Sequence, residues 1–478
     1  MPLTTNWGLY TDYYELTMAQ GYFYCNKKED SAVFNYFFRT NPFKSGFTVF
    51  AGLQDFLKML AEFRFSVEDI EFLRKKGFDG EFLNYLSGFR FAGNIMSVRE
   101  GEIIFPNVPA VQVEGNIIEC QLIESMLLNI LNFESLIATK AFRVSLVAGN
   151  RPFIDFGLRR AQGLGALHAT RATIIGGASG TSNVLAGKIF GIPVSGTMAH
   201  SWVQSFDSEL EAFRAYAQIN PDNTVLLVDT YDTLQTGLPN TIIVAHELEK
   251  KGHRLKAIRL DSGDLAYLSK KAREMLDNVG LDYVKIVVSN QLDEHVIKSL
   301  LQDQSAPIDS FGIGTELITG KKDAALDGIY KLMEINGMPK MKFSDNIEKE
   351  TLPCKKQVYR CTDSQGMFIR DALLVADELP ENADKIYHPL HSERCSEIKH
   401  LQKEPLLQTV VQEGKIILEN KTPEEIHRYL LLRAASLPDE HKRFISPHLY
   451  RVGISEKLLK VRDSLTKQFL NSKNQKNS

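Results

Sequence analysis

Residues 256–290, KAIRLDSGDLAYLSKKAREMLDNVGLDYVKIVVSN, carry the pattern on which the fold turns. A short apolar run stops at the acidic, glycine-bearing cluster DSGD. A segment of helical periodicity follows, and a second apolar run, VKIVV, ends at Ser289 and Asn290. Strand, polar strand end, helix, strand is the unit from which parallel sheets are built by right-handed crossovers. The same rhythm extends outward through PFIDFG from 152, ATIIGG from 172, PVSGT from 193, TVLLVDT from 224 and DSFGIGT from 309, with SWVQSFDSELEAFRAYAQ from 201 as an intervening helix. About seven strand–helix units between Arg151 and Thr315 are enough to close into a TIM-like barrel with its helices outside. A doubly wound open sheet is the alternative, since it too gathers ligands at strand carboxyl ends.

Chemistry-capable side chains cluster at those ends: Asp155 and Arg159; Gly177, Thr181 and Ser182; Thr197 and His200; Asp229 and Asp232; Arg259, Asp261 and Asp264; Ser289 and Asn290; Gly312, Gly314 and Thr315. The glycine turns GGASGTSN, GTMAHS and GIGTELITG can each cradle phosphate oxygens with bare N–H groups, although a lone glycine turn is more often only a turn. Beside Arg159, Arg160 and Arg259, three on one rim make a locally basic pocket suited to phosphate or carboxylate. The acids of VDTYDT and RLDSGD suit a ribose diol or a magnesium ion, or they cap the helices that follow. His200 could take a phosphoryl group on a neutral imidazole nitrogen. Neither a P-loop nor a G-x-S-x-G elbow is present, and no lysine stands among the strand-end clusters, as an aldolase would want.

Before this region, helical periodicity from Asp12 to Tyr24, through GLQDFLKMLAEF and through SVEDIEFLRKKG surrounds a strand, VFNYFF. The pieces SVREGEIIF, AVQVEG and NIIECQL read as short strands, and Ile123–Thr139 as a long apolar helix. Beyond residue 340 come β-prone YRCTDSQGMFIRDALLV and a charged helical region from Thr422 to Leu470. The expected division is an N-terminal α+β domain at 1–120, an α/β barrel at 121–340, a C-terminal region at 341–470 packing back on the N-terminal domain, and a disordered tail at 471–478.

The 478 residues are 44% hydrophobic and 24% charged, which suits a chain of two or three globular domains. A net charge of −3 argues against whole-protein attraction to nucleic acid or anionic membrane. Five cysteines without a C-x-x-C pair fit reduced thiols, and neither a signal peptide nor a membrane-length apolar run is visible, so a cytoplasmic enzyme is expected.

In order from residue 11 to residue 319, TDYYELTMAQGYF, FFRTNPF, DFGLRRAQG, GGASGTSN, GTMAHSW, LVDTYDT, RLDSGDL, VVSNQLDE and FGIGTELIT together resemble the nicotinate phosphoribosyltransferase family. The resemblance implies an irregular α/β barrel joined to an N-terminal α+β domain. It also implies a homodimer with its active site at the subunit interface, and a reaction of nicotinate with phosphoribosyl pyrophosphate, assisted by ATP and Mg2+. It makes His200 the ATP-phosphorylated residue and Phe156 and Tyr14 the aromatic pair around the pyridine ring, Tyr14 coming from the partner subunit. It assigns Arg259 and Thr197 to the nicotinate carboxylate and Gly314 and Thr315 to the phosphate of the phosphoribosyl group, with Thr319 as a further candidate. The related nicotinamide enzymes carry an acid in the glycine turn where this chain has Ser182. A hydroxyl tolerates a carboxylate that an acid would repel, so Ser182 favours nicotinate. Asp261, Asp229 and Arg159 complete the expected site, with the magnesium ligands left unassigned. A relative that binds phosphoribosyl ligands without turnover is the competing function class.

Overall fold

The computed structural model describes residues 6–344, 346 and 349–477, with side chains as far as residue 472. The chain forms two compact units: one of Met1–Leu136, Ala325–Lys421 and Arg428–Ser478, the other of Ile137–Ala324 and Thr422–His427.

The second unit is built on a six-stranded sheet in the order Gly180–Thr181, Phe153–Asp155, Ser310–Ile313, Lys285–Ser289, Ala257–Leu260, Val225–Leu227, with every pair parallel. Its strands are short and almost wholly apolar, as strands covered on both faces must be. Leu226, Ile258, Leu260, Ile286, Val288, Phe311 and Ile313 are fully buried in one core with the faces of the surrounding helices. One such helix, Leu265–Asp277, starts where Asp264 accepts from the Tyr267 N–H at 3.0 Å. Its buried Ala266, Ser269, Ala272 and Leu276 recur at helical spacing.

Five of the seven expected strands are present, and two readings need correction. ATIIGG belongs to the helix Gly165–Ile175, which is buried along Ala169–Ile175, so an apolar run there marked a covered helix. PVSGT makes only a single bridge, Val194 to Thr181, because Pro193 has no N–H to extend a ladder. The strand between them is the two-residue Gly180–Thr181. Among the described residues the hydrogen-bonded sheet is therefore an open parallel fan rather than a closed barrel.

In the first unit a seven-stranded antiparallel sheet interleaves early and late chain: Met338–Pro339, Gly328–Ile335, Ser31–Phe38, Val111–Asn116, Asn94–Ser97, Gln408–Gln412, Lys415–Ile416. NIIECQL is a helix, Ile117–Leu122, not a strand. The Asn116 carboxamide accepts from the Glu119 N–H at 2.9 Å and so starts a helix directly at the strand end. A six-stranded sheet formed only from residues after 355 lies in the same unit, and Arg360 ties it to the early chain. Its fully buried guanidinium donates to both Asp371 oxygens at 2.7 and 3.0 Å, to Glu102 at 2.8 Å and to the Ile103 carbonyl at 2.8 Å. The final helix is Glu456–Asn477; of the expected tail at 471–478, Ser478 lies outside the described residues. None of the five cysteines is paired, and no described helix is long and apolar enough to cross a membrane.

Candidate active site

Every expected site residue except Tyr14 belongs to the second unit, and most stand at the carboxyl ends of its parallel strands. At the end of Phe153–Asp155, the Asp155 carboxylate is buried and accepts from the Gly157 N–H at 2.7 Å and from the Thr170 and Thr181 hydroxyls at 2.9 Å each. Burial pushes its pKa up, against the pull of those three donors. This hub fixes two turns at once, because the Ser182 N–H also donates to the Asp155 carbonyl at 2.8 Å. Phe156 follows, its N–H donating to the Ile313 carbonyl at 2.8 Å. Its ring lies across Gly312, where a Cβ would fall 2.4 Å from two ring carbons. A glycine at that strand position is therefore the condition for a flat aromatic face at the rim.

Arg259 lies within reach of that ring, its guanidinium carbon 5.8 Å from the Phe156 centroid. Nη1 donates to Thr197 Oγ1 at 2.6 Å and to the Met198 carbonyl at 3.2 Å, Nε donates to Ser289 Oγ at 3.0 Å, and Nη2 pairs with Asp261 Oδ1 at 3.2 Å. Thus Arg259 and Asp261 at one strand end and Thr197 from a segment some sixty residues earlier form one polar cluster beside an aromatic plate.

His200 opens the helix His200–Gln204 and is 40% exposed. Its Nδ1 lies 3.1 Å from Thr230 Oγ1, and its Nε2 3.9 Å from Asp261 Oδ2. In the tautomer whose Nδ1–H donates to Thr230, Nε2 carries the lone pair on the side of Asp261. Asp229 accepts from the Asp261 N–H at 2.8 Å and the Ser262 hydroxyl at 2.6 Å through Oδ2, while its buried Oδ1 has no hydrogen-bond partner. Asp232 and Asp264 serve as helix caps, accepting from Leu234 and Gln235 and from Tyr267 respectively. Asp261 caps no helix.

Gly314 and Thr315 begin the short helix Thr315–Ile318 after the strand Ser310–Ile313, and the Thr319 hydroxyl donates back to the Thr315 carbonyl at 2.7 Å. Arg159 lies in the exposed turn Leu158–Arg160. Tyr14 is in the first unit on the helix Tyr13–Tyr24, 45% exposed, its phenol pKa raised by burial first and by the nearby Glu124 next. Sequence places Ser289 and Gly312 among the strand-end residues without giving them a role, and does not single out Thr230. Only their contacts give each a role. The cluster sets a guanidinium and a hydroxyl beside an aromatic face, with the His200 imidazole alongside Asp261.

Comparison with known proteins bears on the whole chain. Residues 9–132 match the N-terminal domain of nicotinate phosphoribosyltransferase, residues 152–373 the nicotinate phosphoribosyltransferase family and residues 355–462 its C-terminal domain. A nicotinate phosphoribosyltransferase of Bacillus subtilis is 42% identical over 459 residues, covering 94% of this chain and 93% of that one. One of Homo sapiens is 34% identical over 519 residues, covering 96% of each. The crystal structure of human nicotinic acid phosphoribosyltransferase superimposes with a TM-score of 0.86 at 32% identity, over 95% of this chain and 99% of that one.

Proposed function

Since the chain belongs to the nicotinate phosphoribosyltransferase family, we propose that its strand-end cluster is where nicotinate and phosphoribosyl pyrophosphate become nicotinate mononucleotide and pyrophosphate, the entry of nicotinate into NAD salvage. The observation that carries this reading is the cluster of Phe156, Arg259 and Thr197. It offers a flat face and cationic and hydroxyl donors to a flat, electron-poor ring bearing a carboxylate. Ser182, in the turn tied to Asp155, places no acid against that carboxylate.

In the reaction the pyridine nitrogen lone pair forms a bond to the anomeric carbon of the ribose as the bond from that carbon to the pyrophosphate oxygen breaks. The nitrogen carries no proton, so no general base is required. The protein's task is to position the two substrates, stabilise charge and exclude water. Gly314, Thr315 and Thr319 are the residues we assign to the phosphate of the phosphoribosyl group, with Arg159 at the rim. Asp261 and Asp229 are assigned to the ribose side. A magnesium ion suits this side, because Asp229 keeps a buried, unpartnered oxygen and such an ion needs few carboxylates beside substrate phosphates. Bound there, it would supply positive charge opposite the departing pyrophosphate.

His200 is the residue we assign to ATP. Its Nε2 takes the γ-phosphoryl group and ADP leaves; water later cleaves the phosphohistidine and releases phosphate. Thr230, holding Nδ1, supports Nε2 as the accepting atom. We further read the open fan as the hydrogen-bonded arc of an irregular barrel, and the protein as a cytoplasmic homodimer in which Tyr14 faces the partner's pyridine ring. Exposed Tyr10, Tyr13, Tyr14, Met18 and Tyr24 in and beside the first helix support such an interface. The test of the substrate assignment is product analysis with nicotinate and with nicotinamide, each with phosphoribosyl pyrophosphate and magnesium. Nicotinate mononucleotide as the dominant product is expected, and a preference for nicotinamide would overturn the assignment.

A further inference from the structure

Ser289 is the last residue of Lys285–Ser289, an inner strand of the parallel sheet, and it is 3% exposed. In register it lies beside Gly312, the glycine over which the Phe156 ring lies. Two non-glycine residues in left-handed conformation follow at once, Asn290 with φ 84° and Gln291 with φ 45°. They end the strand abruptly, and Asp293 then caps the next helix by accepting from the His295 and Val296 N–H groups. Such backbone is costly for residues with a Cβ, and it concentrates where a side chain must be held in one place.

The Ser289 hydroxyl uses both of its capacities within the cluster. It accepts from Arg259 Nε at 3.0 Å and donates its single proton to Asp261 Oδ1. The same carboxylate oxygen pairs with Arg259 Nη2 at 3.2 Å, so guanidinium, hydroxyl and carboxylate form a closed three-membered contact. Its other oxygen, Oδ2, is the atom 3.9 Å from His200 Nε2. We propose that Ser289 is a positioning residue whose hydroxyl locks Arg259 to Asp261, so that the arginine offered to the nicotinate carboxylate and the carboxylate beside His200 keep a single relative geometry. This deepens the reading of the site given above and rests on it.

Two physical consequences follow. Without the hydroxyl, Arg259 loses its Nε acceptor and can rotate about its stem, since Nη1 and Nη2 alone leave the plane of the guanidinium poorly fixed. Asp261 Oδ1 loses a donor, and its carboxylate is then held on that side by Nη2 alone. The acceptor side and the histidine side of the site should therefore both change from one substitution that touches neither substrate. A serine that only filled space at the strand end would change neither selectively.

The experiment compares wild type, Ser289→Ala and Ser289→Thr by steady-state kinetics with nicotinate, phosphoribosyl pyrophosphate and ATP varied in turn, and by nitrogen-15 NMR of arginine Nε–H groups, the Arg259 signal being identified by its loss in Arg259→Lys. Loss of one charge-assisted hydrogen bond predicts a nicotinate KM raised about tenfold or more in Ser289→Ala. ATP stimulation should fall with it, the KM for phosphoribosyl pyrophosphate should change less than about twofold, and the Arg259 Nε–H signal should broaden or move. Ser289→Thr, which keeps a hydroxyl, should restore all of these. Unchanged nicotinate KM and an unmoved Arg259 signal in Ser289→Ala would overturn the proposal. So would a uniform loss with lowered thermal stability that threonine fails to rescue. If wild type itself ignored nicotinate, the substrate reading would fall, while the arginine signal would still decide whether the hydroxyl holds Arg259.

Discussion

A methyl group at Gly312 would land 2.4 Å from Cδ2 and Cε2 of Phe156, well inside contact distance, and the strand backbone beneath it cannot retreat without breaking its ladders to Phe153–Asp155 and Lys285–Ser289. Gly312→Ala should therefore displace the ring rather than the strand. Overpacking of this kind costs about 1–3 kcal/mol, read as a lowered thermal midpoint, and loss of the stacking face should raise the nicotinate KM several-fold with a smaller effect on phosphoribosyl pyrophosphate. Ser182 makes a complementary prediction. Ser182→Asp places a carboxylate where the acceptor's own carboxylate is expected, so nicotinate turnover should fall by about tenfold or more relative to nicotinamide, measured as the ratio of kcat/KM values. An unchanged ratio would remove Ser182 from acceptor choice. At this scale the sequence speaks where chemistry shows in the residue type: His200, Arg259 and Asp261 stand out as polar groups just after apolar runs. Gly312, Thr230 and Ser289 show a strand-end place but not a role, because what they contribute is a close approach or a hydrogen bond to another segment, which has no signature in a single chain.

Elements reveal why some readings succeeded and others failed. Strands such as Lys285–Ser289 and Ala257–Leu260 stand between polar strand ends and amphipathic helices, so their period and boundaries are legible. ATIIGG misleads because a helix buried on every side is apolar without periodicity, and NIIECQL because its cap, Asn116, is also the last residue of a strand. Two elements carry testable energetics. Removing the fully buried guanidinium of Arg360, as in Arg360→Met, leaves Asp371 without its cation and Glu102 with Arg433 alone, and should destabilise the first unit by about 3–5 kcal/mol, read by denaturant unfolding. The other lies in the helix Tyr13–Tyr24. Glu15 is fully buried, and burial raises its pKa to about 7 against hydrogen bonds from Ser125 and Thr11. A carboxyl whose folded pKa exceeds its unfolded value binds more protons when folded. Its contribution is complete below about pH 4.5 and is lost as pH rises through about 7, by roughly 1–3 kcal/mol. Glu15→Gln should accordingly narrow the difference in thermal midpoint between pH 5 and pH 8. An undiminished difference would show that Glu15 is ionised in the fold throughout that range.

For the whole molecule, the division of labour follows from where polar groups can be afforded. One unit buries its parallel strands on both faces and so confines its chemistry to the rim where strands end and helices begin. The other unit mixes early residues with late ones in one seven-stranded sheet, an arrangement no local pattern could reveal, since the partners in the Ala32 to Ile335 pairing lie some three hundred residues apart in sequence. The central claim, that the rim joins nicotinate to phosphoribosyl pyrophosphate with ATP acting through His200, is tested most directly by one set of initial rates. These are taken with nicotinate, phosphoribosyl pyrophosphate and magnesium, with and without ATP, for wild type, His200→Ala and Arg259→Ala. The account predicts ATP stimulation in wild type, its loss with retention of the ATP-independent rate in His200→Ala, and a nicotinate KM raised by about two orders of magnitude in Arg259→Ala. Undiminished ATP stimulation in His200→Ala, or a nicotinate KM indifferent to Arg259, would contradict it.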